Sequence, residues 1–208
     1  MPLFRSALVV LLVVITTSCT TREKLDESVT PSTGFSQQTS EHFEFIEHDT
    51  FPAAGALYNM NDTFVGSCVL VTKSTALTAG HCIELGNLKY ARFGEEKLLI
   101  DVQFIHKNYD GGDDLGLLIF ETQSVQDPMP IVTSVDIIPK MYPITTIAHG
   151  EGKKKVSRPS VFRYYGILKN QPNEIVFLPL KTSVWFGDSG GALVYQDKKY
   201  GFVLIGII

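Results

Sequence analysis

The sequence predicts an all-β fold, on three observations. Short runs of β-branched and aromatic residues recur from Phe51 onward, broken by turn-forming clusters such as Asn59-Met60-Asn61-Asp62 and Lys73-Ser74. Seventeen glycines and ten prolines in 208 residues supply many tight turns. No stretch carries the long 3.6-residue apolar period of an amphipathic helix, and no internal repeat is present.

In order along the chain, Ala56 to Tyr58, Gly66 to Val71 and Thr75 to Thr78 read as short strands. Lys97 to His106 and Leu115 to Phe120 supply two more. The stretch from Thr122 to Tyr142 holds Pro128, Pro130 and Pro139 and reads as a crossover between two units. Ile144 to His149, Arg163 to Leu168 and Ile175 to Leu180 open the second unit; Ala192 to Tyr195 and Phe202 to Ile208 continue it. The expected division is a first unit over about 51–125 and a second over about 140–208. Lys153-Lys154-Lys155, between Gly152 and Pro159, reads as a solvated hairpin tip.

The N-terminal part has a different character. One basic residue, Arg5, precedes an unbroken apolar run from Leu8 to Ile15, followed by Thr16-Thr17-Ser18-Cys19. The run is too short to span a bilayer and suits a signal peptide over residues 1–19. A cysteine straight after small residues resembles a bacterial lipoprotein signal, with Cys19 as the lipidated first residue, although Thr16 stands where that signal prefers leucine. Lipid anchoring at Cys19 and ordinary cleavage with release both remain open. Either places the protein outside the cytosol, secreted or in the cell envelope. Residues 20–50 are rich in Ser, Thr, Gln and charge and read as a flexible tether or pro-segment.

Composition excludes some functions. Hydrophobic content of 44% with 19% charged residues describes a folded chain. A net charge of −4 makes no electrostatic case for nucleic acid. His42 and His48 lack any metal-ligand spacing, so no metal is expected, and no cofactor.

Three motifs carry chemistry. Gly187-Asp188-Ser189-Gly190-Gly191 sets a serine in a glycine turn, where its hydroxyl stands clear and neighbouring N–H groups can converge. Thr78-Ala79-Gly80-His81-Cys82 follows an apolar, β-branched run, and Asp113-Asp114 opens the buried strand Leu115-Gly116-Leu117-Leu118-Ile119-Phe120. A serine hydroxyl needs a base to become a nucleophile, and a histidine needs a carboxylate to hold its tautomer and stabilise its charged form. The same Gly-x-Ser-x-Gly spacing occurs in α/β-hydrolases, but that fold takes its histidine after the serine. The five histidines here, His42, His48, His81, His106 and His149, all precede Ser189.

In the order His, Asp, Ser, the chain resembles the chymotrypsin/trypsin-like serine peptidases over roughly Phe51 to Ile208. The resemblance implies two six-stranded-type antiparallel β-barrels with the site between them. It implies His81 as general base, Asp114 as its orienting carboxylate and Ser189 as nucleophile. Asp114 is preferred to Asp113 because the family's aspartate directly precedes the hydrophobic-small-Leu-Leu run. The N–H groups of Gly187 and Ser189 would form the oxyanion hole, and protein or peptide substrates are implied. Cys68 and Cys82 match a family disulfide beside the histidine.

Three features depart from the family. No Ile-Val-Gly-Gly activation sequence is present, and nothing around Ile46, which lies at roughly the expected distance, marks a cleavage site. Ser183, six residues before the nucleophile at the base of the specificity pocket, offers no counter-charge for Arg or Lys and leans towards uncharged side chains. The chain ends at Ile208, where relatives usually continue through another strand and a helix, so the second barrel is expected to be incomplete. The leading expectation is therefore a serine endopeptidase; the alternative is a catalytically impaired binding protein on the same fold.

Overall fold

The computed structural model describes residues 43–45, 50–132, 138–150, 155–157, 162–168, 171–179 and 187–208. Cys19, His42, His48, Lys153, Lys154, Ser183 and the expected signal peptide lie outside these residues.

Among the described residues there are thirteen strands and one short α-helix: β1 (Phe43–Phe45), β2 (Ala54–Asn59), β3 (Phe64–Thr72), β4 (Thr75–Thr78), α1 (Gly80–Gly86), β5 (Leu88–Phe93), β6 (Glu96–Ile105), β7 (Gly116–Phe120), β8 (Pro143–Ala148), β9 (Lys155–Ser157), β10 (Phe162–Leu168), β11 (Gln171–Pro179), β12 (Ala192–Asp197) and β13 (Gly201–Ile207). A 3-10 turn, Tyr109–Gly111, precedes β7.

The first six-stranded sheet closes into a barrel in the order β2-β3-β4-β7-β6-β5, with every pair antiparallel. Closure removes the free edges that an open sheet would expose. Local chemistry sets the turns. Between β2 and β3, the Asn59 side-chain oxygen accepts the N–H groups of Asn61 and Thr63, at 2.9 and 3.0 Å. Between β5 and β6, two residues suffice because Gly94 adopts a positive φ of 60°.

The second sheet has seven strands. Its path runs β1-β9-β8-β10-β11, and β12 pairs with both β8 and β13. It does not close among the described residues, as expected of an incomplete second barrel. β1 lies within the stretch read as a tether: Phe43 pairs with Ser157 and Phe45 with Lys155. The tether reading therefore gives up these three residues to the fold, because β9 offers them a backbone ladder. β1 also precedes Ile46, so a cut before Ile46 would sever this strand from the rest of the chain.

The two sheets share apolar packing. Leu57, Val69, Leu70, Phe93 and Leu118 of the barrel are fully buried in one cluster with Ile147, Ala192 and Val194 of the second sheet. Leu193 points the other way, into a second cluster with Ile144, Tyr164, Ile175 and Val203. The two-residue period of β12 thus serves two cores, with Ala192 and Val194 on one face and Leu193 on the other. The crossover bonds to both sheets: the Met129 N–H donates to Leu70 at 2.9 Å and the Leu204 N–H to Pro130 at 2.7 Å.

Besides β1, three elements within the described residues escaped the sequence reading: β5, α1 and β9, which begins at Lys155 of the stretch read as a hairpin tip. β5 was missed because Leu88, Tyr90, Ala91 and Phe93 are all buried, which obscures a strict alternation. Helix α1 has only seven residues, too few for a helical period to show. Phe93 is wholly buried and meets Phe120 edge to face at 5.8 Å. Phe93→Ala is expected to destabilise the fold by about 3–5 kcal/mol in urea unfolding; a loss below about 1 kcal/mol would show that the barrel interior is not the stabilising core.

Candidate active site

The site is built where α1, the loop before β7 and the turn before β12 meet. β4 ends at Thr78, and α1 begins two residues on without a side-chain cap from Ala79. The first N–H groups of a helix need acceptors. Asp114 supplies one, accepting the backbone N–H of His81 through Oδ1 at 2.8 Å. Its other oxygen, Oδ2, lies 2.6 Å from Nδ1 of the His81 ring. One carboxylate therefore caps the helix and grips the side chain of its second residue. With Nδ1–H donated to Asp114, Nε2 is left as the proton acceptor of the ring.

The electrostatics follow from this grip. The Asp114 carboxylate raises the proton affinity of His81 from 6.5 to about 10, the Cys82 side chain adds to the rise, and partial burial opposes it. Burial pushes Asp114 up, but its hydrogen bonds from the His81 side chain and backbone outweigh this and hold it below 3.8.

The loop carrying Asp114 is tied down on both sides. Tyr109 Oη–H donates to Glu84 on α1 at 2.7 Å, and that carboxylate pushes the phenol up to about 12. Asp113 is not at the imidazole of His81. It pairs instead with His106 at 3.2 Å and accepts from Asn108 at 2.9 Å. Of the two carboxylates, it is Asp114 that lies at His81. None of Tyr109, His106 and Asn108 stands in a motif, and their roles depend on contacts made through the folded loop.

The Ser189 turn is seated on β3. The Ser67 N–H donates to the Ser189 carbonyl at 2.8 Å, and that carbonyl lies 3.8 Å from Sγ of Cys82, the neighbour of His81. The Gly190 N–H donates to Ile208 at 2.7 Å, and the Gly191 N–H to Asp188 at 2.8 Å. Gly187 and Gly190 have φ values of 88° and 82°, in the left-handed region that glycine enters without strain. At Gly190 a Cβ would also lie 2.0 Å from the Ser67 carbonyl oxygen. Among the described residues, the N–H groups of Gly187 and Ser189 enter no backbone hydrogen bond. No hydrogen bond joins the Ser189 hydroxyl to His81.

The cysteines depart from expectation. Cys68 and Cys82 are both buried thiols, and the bridge between them is not formed. The reason lies in the strand register: Cys82 faces Gly66, where a Cβ would stand 2.9 Å from its Sγ. In a disulfide, Cβ and the partner sulfur lie about 3 Å apart. The residue facing Cys82 at bridging distance is therefore a glycine, and Cys68 sits two places further along β3. Burial pushes the Cys68 thiol well above its ordinary range.

A family model, Trypsin, matches residues 43–208. The chain belongs to the trypsin family. No curated protein matches the sequence. Membership accounts for the barrel, for the shared core and for the order of the three motifs. It makes this trypsin-family chain a member of a serine peptidase family whose hydrolases take protein or peptide substrates. Among the described residues, no group of three or more His, Cys, Asp and Glu side chains could hold a metal ion.

Two outcomes check this geometry. The raised affinity of His81 stabilises the fold fully below pH 6.5 and is lost as pH climbs towards 10; the depressed Asp114 contributes above pH 3.8 and is lost as pH falls below it. The stability gap between the unaltered protein and Asp114→Asn is therefore expected to be widest between about pH 4 and 6.5 and to narrow towards pH 10, read by thermal unfolding; a gap constant with pH would contradict the pairing. Gly66→Cys is expected to form a disulfide with Cys82 on mild oxidation, read by peptide mass mapping. Thiols at both positions that survive oxidation would contradict the register.

Proposed function

We propose that this trypsin-family chain is a serine endopeptidase in which His81, Asp114 and Ser189 act together through an acyl-enzyme. The observation that carries the reading is the 2.6 Å contact of Asp114 with His81 Nδ1, beside a turn that holds Ser189 against the neighbour of His81. In this reading His81 Nε2 takes the Ser189 hydroxyl proton as Oγ attacks the substrate carbonyl carbon. The charge moves to the carbonyl oxygen, where the N–H groups of Gly187 and Ser189 receive it. Neither N–H enters a backbone hydrogen bond among the described residues. The amine leaves with the proton returned by His81, and water then releases the acyl group from Ser189 by the same transfers in turn. The carboxylate that raises the proton affinity of His81 also stabilises the imidazolium formed on the way.

Approach of Ser189 Oγ to His81 Nε2 is the step that bound substrate must complete, since catalytic hydrogen bonds are often long in empty sites. That no hydrogen bond joins the Ser189 hydroxyl to His81 is also the observation that favours the second reading, a binding protein on a peptidase fold whose serine is not activated. Ser183 stands six residues before Ser189, the position that in the family lies at the base of the specificity pocket, and as a neutral residue it would lean the preference towards uncharged side chains. The N-terminal apolar run supports export, with the mature protein secreted or held at the cell envelope through a lipid on Cys19.

Incubation with casein and a fluorophosphonate probe separates the readings. The unaltered protein is expected to cleave and to take the label, and Ser189→Ala to do neither. Cleavage undiminished in Ser189→Ala would refute the assignment, and an unaltered protein that neither cuts nor labels would leave the binding reading.

A further inference from the structure

Ser67 is a buried serine with no place in the mechanism above, only 1% exposed, on the strand that faces the Ser189 turn. Every polar group it owns is committed. Its N–H donates to the carbonyl of Ser189 at 2.8 Å. Its hydroxyl donates to the carbonyl of Gly187 at 2.9 Å and accepts the backbone N–H of His149 at 2.8 Å. Its own carbonyl accepts the Thr78 hydroxyl at 2.8 Å. Ser67 therefore grips two alternate residues of the turn, one by backbone and one by side chain. It also ties that turn to β4, which leads into α1, and to the end of β8. The two carbonyls it holds belong to the same residues whose N–H groups the proposed reaction uses.

We propose that Ser67 is a positioning residue for the oxyanion-binding turn, its hydroxyl fixing the Gly187 peptide while its N–H fixes Ser189. This deepens the peptidase reading and rests on it for the effect on rate. The physical argument is one of leverage. Gly187 sits at a φ of 88°, where a glycine loses no Cβ contact by rotating away. Nothing within the residue itself holds that conformation, so an external bond to its carbonyl must. The carbonyl held is that of the peptide joining Gly187 to Asp188, and rotation about the Gly187 backbone relates it to the Gly187 N–H; an oxyanion donor must lie within about 2.7–3.1 Å of the developing charge, so letting that rotation go removes its benefit. The hydroxyl is also shared with His149 N–H, so its loss removes the partner of one buried acceptor and one buried donor.

The test compares Ser67→Ala with Ser67→Thr, which restores a hydroxyl, and with Ser124→Ala as a control. Ser124 is another buried serine, 4% exposed, whose hydroxyl donates to Glu96 at 2.6 Å on the barrel. Turnover and fluorophosphonate labelling read the rate, and amide hydrogen exchange of the peptide covering residues 187–191 reads the order of the turn. Ser67→Ala is expected to lower kcat and labelling about tenfold, the loss of one hydrogen bond's worth of alignment, with KM held within about twofold. Its exchange at 187–191 rises, and Ser67→Thr recovers most of both losses. Ser124→Ala keeps kcat even where its Tm falls equally. Unchanged exchange at 187–191 in Ser67→Ala overturns the proposal. So does a kcat loss that Ser124→Ala matches at equal Tm. An unaltered protein that neither cuts nor labels overturns the peptidase reading alone, and the exchange measurement still decides the role of Ser67.

Discussion

The hydrogen bond from the Ser67 N–H to the Ser189 carbonyl is the contact on which the rest of the site depends. The strand β3 belongs to the closed barrel and the Ser189 turn leads into β12 of the second sheet. A barrel and an open sheet could slide past one another on an apolar interface, because hydrophobic contact has no direction. A short, directional bond between them fixes the register of one against the other. It puts the Ser189 carbonyl within 3.8 Å of the Cys82 sulfur and so brings the turn up to α1, where His81 is held.

On the barrel side, the economy lies in Asp114. A helix as short as α1 has weak intrinsic stability, and its N-terminal donors lack a side-chain cap. The carboxylate that takes its backbone N–H also takes the imidazole, so helix geometry and side-chain orientation are set by one group. The loop that delivers the carboxylate is held in turn by Tyr109 on Glu84 and by Asp113 with His106 and Asn108. The cysteines do not contribute a covalent tie, and Gly66 takes the place facing Cys82.

The most variable part of the expectation concerned the edges of the domain. The stretch Phe43–Phe45 has two phenylalanines about one glutamate but only three residues, too few for a two-residue period to mark it as a strand. It becomes one by pairing with β9, more than a hundred residues away. β5 escaped for the opposite reason, since burial on both faces hides a two-residue period. Both cases show tertiary partners overriding local pattern.

The sequence by itself determined the all-β character, the run of most strands and the identity of the three motifs, because strand alternation, turn residues and glycine-flanked chemistry are local properties of adjacent residues. Its resemblance to the family pointed to Asp114 rather than Asp113, through the strand that follows. Only the tertiary structure decided which residue faces Cys82, which side chains hold the Asp114 loop, and that Ser67 grips the Ser189 turn. Those are relations between residues as many as 122 positions apart, 189 − 67, as in the bond from Ser67 to Ser189. A serine two places after a valine looks the same in the sequence whether its hydroxyl meets water or the carbonyl of Gly187, and it is the closing of one sheet against another that chooses between them.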